Sequence, residues 1–493
     1  MQPIPQKPIS PPTFESFNNL PLTEQLHSIL DIKDQSQQLT AVRSIASILQ
    51  EKNFGPNGTS ESHYFSLYTK DNKLPLNSSI NIERLSLSHK AIEQLANHKY
   101  PLEILPIISH MIFEVKYPSD QFESMYKQCL NLKQSNKSNH IHICIFISGI
   151  NKTDMRFKND TNIYSIKLDS TVTEIEGGNL PIGMNGGGSF NGCSSLEEVT
   201  IPSSVNLIGN FSFSKCTSLT KISLPSSLTS IGNGVFFGCS SLTEITIPSS
   251  MKSIGGHCFN GCSKLNHISI PSGVTQIGPL CFNGCSSLTE IEIPSNLEVI
   301  NANCFKDCSS LVRILIPASV KVISENAFHG CKALKEIQLP TSLESIGESA
   351  FSQCSSLMKC FLSSSIKYIH DDAFNGCSSL IDLSLGSSLK SIGKGSFLGC
   401  QSLKTLIIPS SVTSIGKGAL FGCSSMILIS VPDHLKLEET GLNQKVEIRR
   451  RNKANMNDMD RKMVFLGSKA PNSTWSNKHI QNVWGKTVTK GWF

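Results

Sequence analysis

The chain has 493 residues, of which 39% are apolar and 17% charged, with a formal net charge of +6. This supplies a sizeable core with fewer charges than the roughly 25% of an average soluble domain, and Ser, Gly and Cys fill the gap. No window approaches the ~18 consecutive apolar residues of a membrane-spanning helix. The basic excess is local, because residues 443–493 hold eleven Lys or Arg against three acidic residues and leave the remainder near neutral.

In chain order, the opening "MQPIPQKPISPP" is rich in proline and lacks the apolar run of a secretory signal. Residues 1–19 are expected to be disordered, and a reducing cytoplasmic setting is expected for the seventeen cysteines, with the cell surface and the nucleus as alternatives. Residues 20–150 read as a small mixed or mostly helical domain. "LPLTEQLHSILD" offers Thr23 as a cap and Leu26, Ile29 and Leu30 on one face. "QQLTAVRSIASILQ" places Leu39, Val42, Ile45, Ala46 and Leu49 at helical spacing. "SHKAIEQLANH" and "SDQFESMYKQCLNL" read as shorter helices, and "HIHICIFISGI" (residues 140–150) as a strand with His140 and His142 on its polar face.

From residue 160 an internal period takes over. Cysteines stand at 193, 216, 239, 262, 285, 308, 331, 354, 377, 400 and 423, every interval being 23 residues. Phe lies three residues before each Cys from Phe190 to Phe397, with Leu420 in the last copy. Leu lies three residues after, from Leu196 to Leu403, then Met426. Numbering positions from this Cys, +6 and +8 are apolar, +9 is usually Pro, +12 mostly Val or Leu, +15 Ile and +16 often Gly. "LTEITIP" alternates as a half-buried strand does, Pro ends it, and Ser and Gly turn the chain. One such coil cannot bury its own apolar side, whereas stacked coils can, with parallel strands about 4.8 Å apart. An earlier coil starts near Asp160, with Ile163, Ile166, Leu168, Val172 and Ile175 in the expected places, and a partial one ends near Arg449.

The copies of "FNGCSSLTEIEIPSNLEVI" resemble the BspA-type leucine-rich repeats over residues 160–448. The resemblance implies proteins that bind other proteins and share no enzymatic activity; bacterial members are often secreted adhesins. The expected fold class is therefore α+β: a leucine-rich-repeat solenoid of 23-residue coils with a parallel sheet, preceded by the small mostly helical N-terminal domain and followed by a basic tail, 449–493. A cap over the first coil is the expected role of the N-terminal region.

"HCFNGC" and its copies raise the question of metal or redox chemistry. Cys258, Cys281 and Cys304 take the place of Ala327, Ala350 and Ala373, so small apolar packing is their common denominator. Zinc held by neighbouring Cys-x3-Cys pairs and disulfides between coils remain as alternatives. His257 has Leu280, Asn303, Asn326 and Gly395 as counterparts and reads as an exposed turn residue.

Positions +5 and +7 point away from the core. The +5 column runs Glu198, Lys221, Glu244, His267, Glu290, Arg313, Glu336, Lys359, Asp382, Thr405, a self-neutralising ladder that fixes register. The +7 column begins with Thr200, Ser223, Thr246, Ser269 and Glu292, then carries Leu315, Phe361 and Ile407 on alternate coils, separated by Gln338 and Ser384. Val312, Met358 and Ile381 at +4 add apolar surface, and these six residues form the candidate partner-binding patch. Cover by a flanking segment such as the C-terminal tail is the alternative.

The tail holds all three tryptophans, Trp475, Trp484 and Trp492, among lysines, below "RRRNK" at 449–453. A docking peptide, a nuclear-import signal and single-strand nucleic-acid stacking are the readings it allows. No GxxxxGK[ST], HExxH or GxSxG motif occurs. The expectation is a monomeric, non-enzymatic interaction scaffold with a protein partner, no cofactor, no metal, no small-molecule substrate and no nucleic acid. A surface adhesin exported without a standard signal is the alternative.

Overall fold

In the computed structural model the described residues are 67–69, 82–87, 111–118, 122–135, 141–178 and 187–451. Segments 1–19, 20–31, 37–50 and 88–98 and the tryptophan-bearing tail lie outside them. The chain divides into two compact units, one built from Met1–Thr153, Asp160–Thr173 and Ser195–Ser204, the other from Asp154–Asn159, Glu174–Ser194 and Val205–Phe493.

The described part of the first unit is a six-stranded sheet. Its order is β1 (Leu67–Thr69), β2 (Ile82–Leu87), β3 (Met111–Tyr117), β4 (Ile141–Ile147), β5 (Ile163–Leu168) and the strand Glu198–Thr200. Only β1 and β2 are antiparallel. Helix α1 (Phe122–Ser135) makes the crossover between β3 and β4, with Glu123 in its first turn and Lys133 in its last, as the helix dipole favours. Buried Phe122 meets Tyr117 edge-on and stacks on Tyr126. The Tyr126 hydroxyl donates to Asp160, and Lys133 Nζ donates to the Asn162 carbonyl at 3.3 Å, which ties the helix to the start of the first coil. Ile143, Cys144, Ile145 and Ile147 are all buried, so β4 is covered on both faces, as parallel sheets require.

The strand expected at 140–150 and the helix expected at 119–132 are therefore present. A mostly helical region before residue 150 is not what the described residues show. They hold four strands and one helix, and β4 pairs with β5, so the parallel sheet already runs through the first coil.

The second unit is a parallel β-solenoid of 23-residue coils. A typical coil gives a three-residue strand at +5 to +7 (Glu244–Thr246) and a two-residue strand at +14 and +15 (Ser253–Ile254). The first kind forms a five-stranded sheet from Glu290–Glu292 to Asp382–Ser384, the second a six-stranded sheet from Val299–Ile300 to Ser414–Ile415. Partners stand one coil period apart, as in Glu336↔Lys359 and Ile346↔Ile369. A third side is made of turns. It needs left-handed backbone at −5 and −1, supplied by His257 (φ 57) and Gly261 (φ 78), or by Asn303 and Asp307. Its amides also bond from coil to coil, as in Phe236 N–H to Cys258 O (2.9 Å).

Inside, Phe157, Phe190, Phe213 and the following rings to Phe397 stack with centroids 5.3–6.2 Å apart. Side chains repeat two further bonds. The +11 serine donates to the +12 carbonyl of the preceding coil, as in Ser250 to Leu228 O (2.6 Å) and Ser342 to Val320 O (2.7 Å). The cysteine thiol does the same for the phenylalanine carbonyl of the preceding coil, at 3.1–3.3 Å from Cys193 to Cys423. Buried carbonyls at turns thus receive partners that no strand ladder offers them.

The partial last coil ends later than Arg449. Glu447–Arg451 pairs in parallel with Leu428–Pro432 through five residue pairs. The basic run at 449–451 is thus a strand. Arg450 Nη1 donates to Asp433 O and Pro432 O (3.3 and 3.4 Å) and also to Leu435 O, while buried Arg451 donates to Ile408 O and Ser430 O.

Candidate interaction face

Two side-chain sets single out this solenoid. The first is the thiols. All seventeen cysteines are unbridged and buried. Burial pushes thiol titration in the coils upward, to about 12 for Cys239, Cys304 and Cys360 and to about 11 for Cys423 in the last coil. Protonated thiols donating to carbonyls are packing groups. Cys258, Cys281 and Cys304 are as buried as Ala327, Ala350 and Ala373, which hold the same position in later coils. Among the described residues no group of three His, Cys, Asp or Glu is arranged to hold a metal. His257 sits half-buried rather than exposed. Its Nδ1 lies 3.0 Å from the Asn260 amide nitrogen, and burial lowers its pKa.

The second set is the outer face of the three-residue strands. In the +5 column Lys221 meets Glu244 at 3.2 Å and Arg313 meets Glu290 at 3.5 Å, while Glu336, Lys359 and Asp382 are register partners in turn. These pairs are well exposed, so each contributes only ~0.2–1 kcal/mol, and they serve register more than stability. The structure adds a second ladder, at +13, that the sequence reading does not include: Glu298–Lys321 (3.2 Å) and Glu344–Lys367 (3.9 Å). Its signal lies in the alignment of those columns from coil to coil.

Beside the first ladder, the +7 column changes character. Thr200, Ser223, Thr246, Ser269 and Glu292 are exposed and polar. Then Leu315 is 63% exposed and Phe361 54% exposed. In-register pairing aligns Glu292, Leu315, Gln338, Phe361 and Ser384 across one sheet, and Ile407 holds the next equivalent position, half-buried. At +4, Val312 and Ile381 are exposed and Met358 is half-buried; the Ile381 amide donates to the Met358 carbonyl of the neighbouring coil (3.0 Å). The six predicted residues thus fall on the coils of Cys308, Cys354, Cys377 and Cys400, while the intervening coil of Cys331 has Lys335 and Gln338 at these positions. Ile427, 64% exposed, extends the +4 column beyond the predicted set, and the same spacing marks it.

Residues 186–312 and 298–427 match the BspA type leucine rich repeat region, with six copies. Over these residues the chain belongs to the BspA-type leucine-rich repeat family. A search of curated proteins returned no match. Among solved structures, the chain is similar to a leucine-rich repeat protein from Bacteroides ovatus (22% identity, 80% of this chain and all of that one, TM-score 0.36). It is also similar to a leucine rich cell surface protein from Faecalibacterium prausnitzii (24%, 53% and 86%, TM-score 0.33) and to the T. pallidum leucine rich repeat protein (28%, 47% and 86%, TM-score 0.29). In this BspA-type array the repeat positions that pack, Phe, Cys, Leu and Ile, are held from coil to coil, while the outward +4 and +7 positions vary.

Proposed function

We propose that this BspA-type solenoid is a non-enzymatic scaffold that docks a protein partner on the apolar half of its strand face, through Val312, Leu315, Met358, Phe361, Ile381 and Ile407. The observation that carries the reading is the exposure of Leu315 and Phe361 beside a +5 column that is charged and ion-paired. Exposed side chains of this size are costly to leave in water and anchor interfaces when covered, each worth roughly 1.5–3 kcal/mol on full burial. A reducing compartment suits a core whose thiols serve as S–H donors. The test compares the full-length chain with the double variant Leu315→Ala/Phe361→Ala in affinity purification and thermal unfolding. Partner recovery is expected to fall at least about tenfold, with the unfolding midpoint within about 2 °C of the parent. A large fall in the midpoint with unchanged recovery would instead mean that these side chains are covered within the folded chain and serve stability.

A further inference from the structure

The last strand of the solenoid unit has an open edge. Glu447–Arg451 is five residues long where a typical coil has three, and it pairs with Leu428–Pro432 along one side. Among the described residues no strand lies along its other side. The Glu447 amide donates to the Ile427 carbonyl (2.9 Å), and the Asp433 amide donates to the Arg451 carbonyl (3.1 Å). By strand alternation the main-chain groups of Glu447, Arg449 and Arg451 face the pairing strand, and those of Ile448 and Arg450 face the open edge. Ile448 stands in the interior register beside buried Ile429, yet it is 47% exposed.

An edge of this kind accepts another strand unless charge or proline blunts it. Here the arginines that could blunt it are turned back on their own chain. Arg450 Nη1 donates to the Pro432, Asp433 and Leu435 carbonyls, Arg451 donates to the Ile408 and Ser430 carbonyls, and Arg449 Nη2 lies 3.1 Å from Glu447 Oε1. The edge is also self-complementary. A twofold axis at Ile448 sets two copies of the strand antiparallel. Ile448 then exchanges both main-chain hydrogen bonds with Ile448 of the second copy, at the ~5.5 Å Cα separation of such pairs, and each side chain covers the other. On the opposite face Glu447 meets Arg449 of the second copy, and Arg449 meets its Glu447, so opposite charges stand across both pairs. Further out, Arg450 meets Val446 and Arg451 meets Lys445. That last pair is like-charged, but the Arg451 guanidinium is withdrawn to Ile408 and Ser430. An axis at Arg449 instead would set Arg449 against itself and Ile448 against Arg450, which is unfavourable.

We propose that the chain forms a head-to-head dimer through antiparallel pairing of Glu447–Arg451 with the same strand of a second copy, in place of the monomer expected from the sequence. The dimer edge is separate from the partner face, and the two stand or fall independently. The contact is small, so a dissociation constant on the order of 10 µM is expected.

Sedimentation equilibrium of the full-length chain is expected to show a concentration-dependent monomer–dimer equilibrium. Ile448→Pro removes the edge-facing amide and leaves the bonds to Leu428–Pro432, so it is expected to weaken association at least about tenfold with little change in unfolding midpoint. Glu447→Arg and Arg449→Glu each set like charges across the axis and are each expected to weaken self-association about tenfold. Mixed together, these two variants are expected to form heterodimers, and Glu447→Arg/Arg449→Glu in one chain is expected to regain dimerisation. Ile448→Cys treated with a short bismaleimide is expected to give a covalent dimer joined at position 448, since all seventeen native thiols are buried. A chain that stays monomeric at every concentration overturns the proposal. So does a dimer joined elsewhere, or one that the charge variants and their mixture leave unchanged. If Ile448→Pro lowers the midpoint, the mixture of charge variants decides.

Discussion

A sulfhydryl at the repeat cysteine does two jobs that no smaller side chain combines. It fills the volume beside the stacked rings, and it gives the Phe carbonyl of the preceding coil a second donor after the turn amide, as at Phe305, which receives both Cys308 N–H (3.2 Å) and Cys331 S–H (3.2 Å). Alanine would supply neither donor nor bulk. Thiol titration of the folded chain with a bulky disulfide reagent is expected to modify Cys423 first, and all seventeen only after denaturation. The raised pKa values also predict alkaline sensitivity. Because the folded thiols titrate above the ordinary 9.0, the folded state holds protons that the unfolded state releases. Their contribution is complete below about pH 9 and is lost as pH rises toward the folded values, by up to ~1.4 kcal/mol per thiol per pH unit. Melting followed from pH 8 to pH 10.5 is expected to show a steep fall above pH 9, shallower after Cys304→Ala and Cys360→Ala. The cysteine spacing is plain in the sequence. The acceptor is not, because it is a main-chain atom on the preceding coil, a partner that no column of side chains reveals.

At the scale of the element, such short strands have little intrinsic stability and exist because each has a neighbour one coil period away. That is why the coil period is legible and individual strand ends are not. It also explains what escapes a reading of the sequence before residue 150. The strand Met111–Tyr117 stands further than one coil period before its partner, which begins at Ile141, and α1 fills the difference. The run 449–451 looks like a charge signal because strand formation there depends on pairing with Leu428–Pro432. Close coil approach makes a further demand. A Cβ on Gly255 would lie 2.4 Å from the Gly232 carbonyl oxygen, whereas one on Gly284 (φ +72) meets only backbone carbon and nitrogen at 3.8 Å. Gly284→Ala is expected to cost about 1 kcal/mol, from its left-handed backbone. Gly255→Ala is expected to cost about 3 kcal/mol, from main-chain displacement. Urea midpoints of the two variants rank them, and equal midpoints would contradict the close approach.

For the solenoid unit as a whole, each coil touches chiefly the coils on either side, so stability is a sum of coil and interface contributions. Amide exchange is expected to be slowest in the coils between Cys262 and Cys377 and to quicken toward the strand Glu447–Arg451, whose outer residues are mostly exposed. Uniform protection along residues 205–451 would mean that the unit opens all at once. The candidate face is readable at the level of columns for +7, which strand alternation places outside; +4 has the opposite parity and precedes the strand, so its exposure is seen only in the structure. What the sequence leaves open is how much of each side chain stays uncovered, a property of neighbouring coils that separates Leu315 from the half-buried Ile407.

The thiol-to-carbonyl bond has one more implication. Every interior coil gives such a bond to the coil before it and accepts one from the coil after it, with the same reach of 26 residues. Removing or duplicating a complete coil keeps this bond at each remaining junction, and the longer first coil, where Cys193 reaches 36 residues back to the Phe157 carbonyl, keeps it too. Copy number is thus a variable that this bond leaves free, so the extent of the face can change while its interior is repeated.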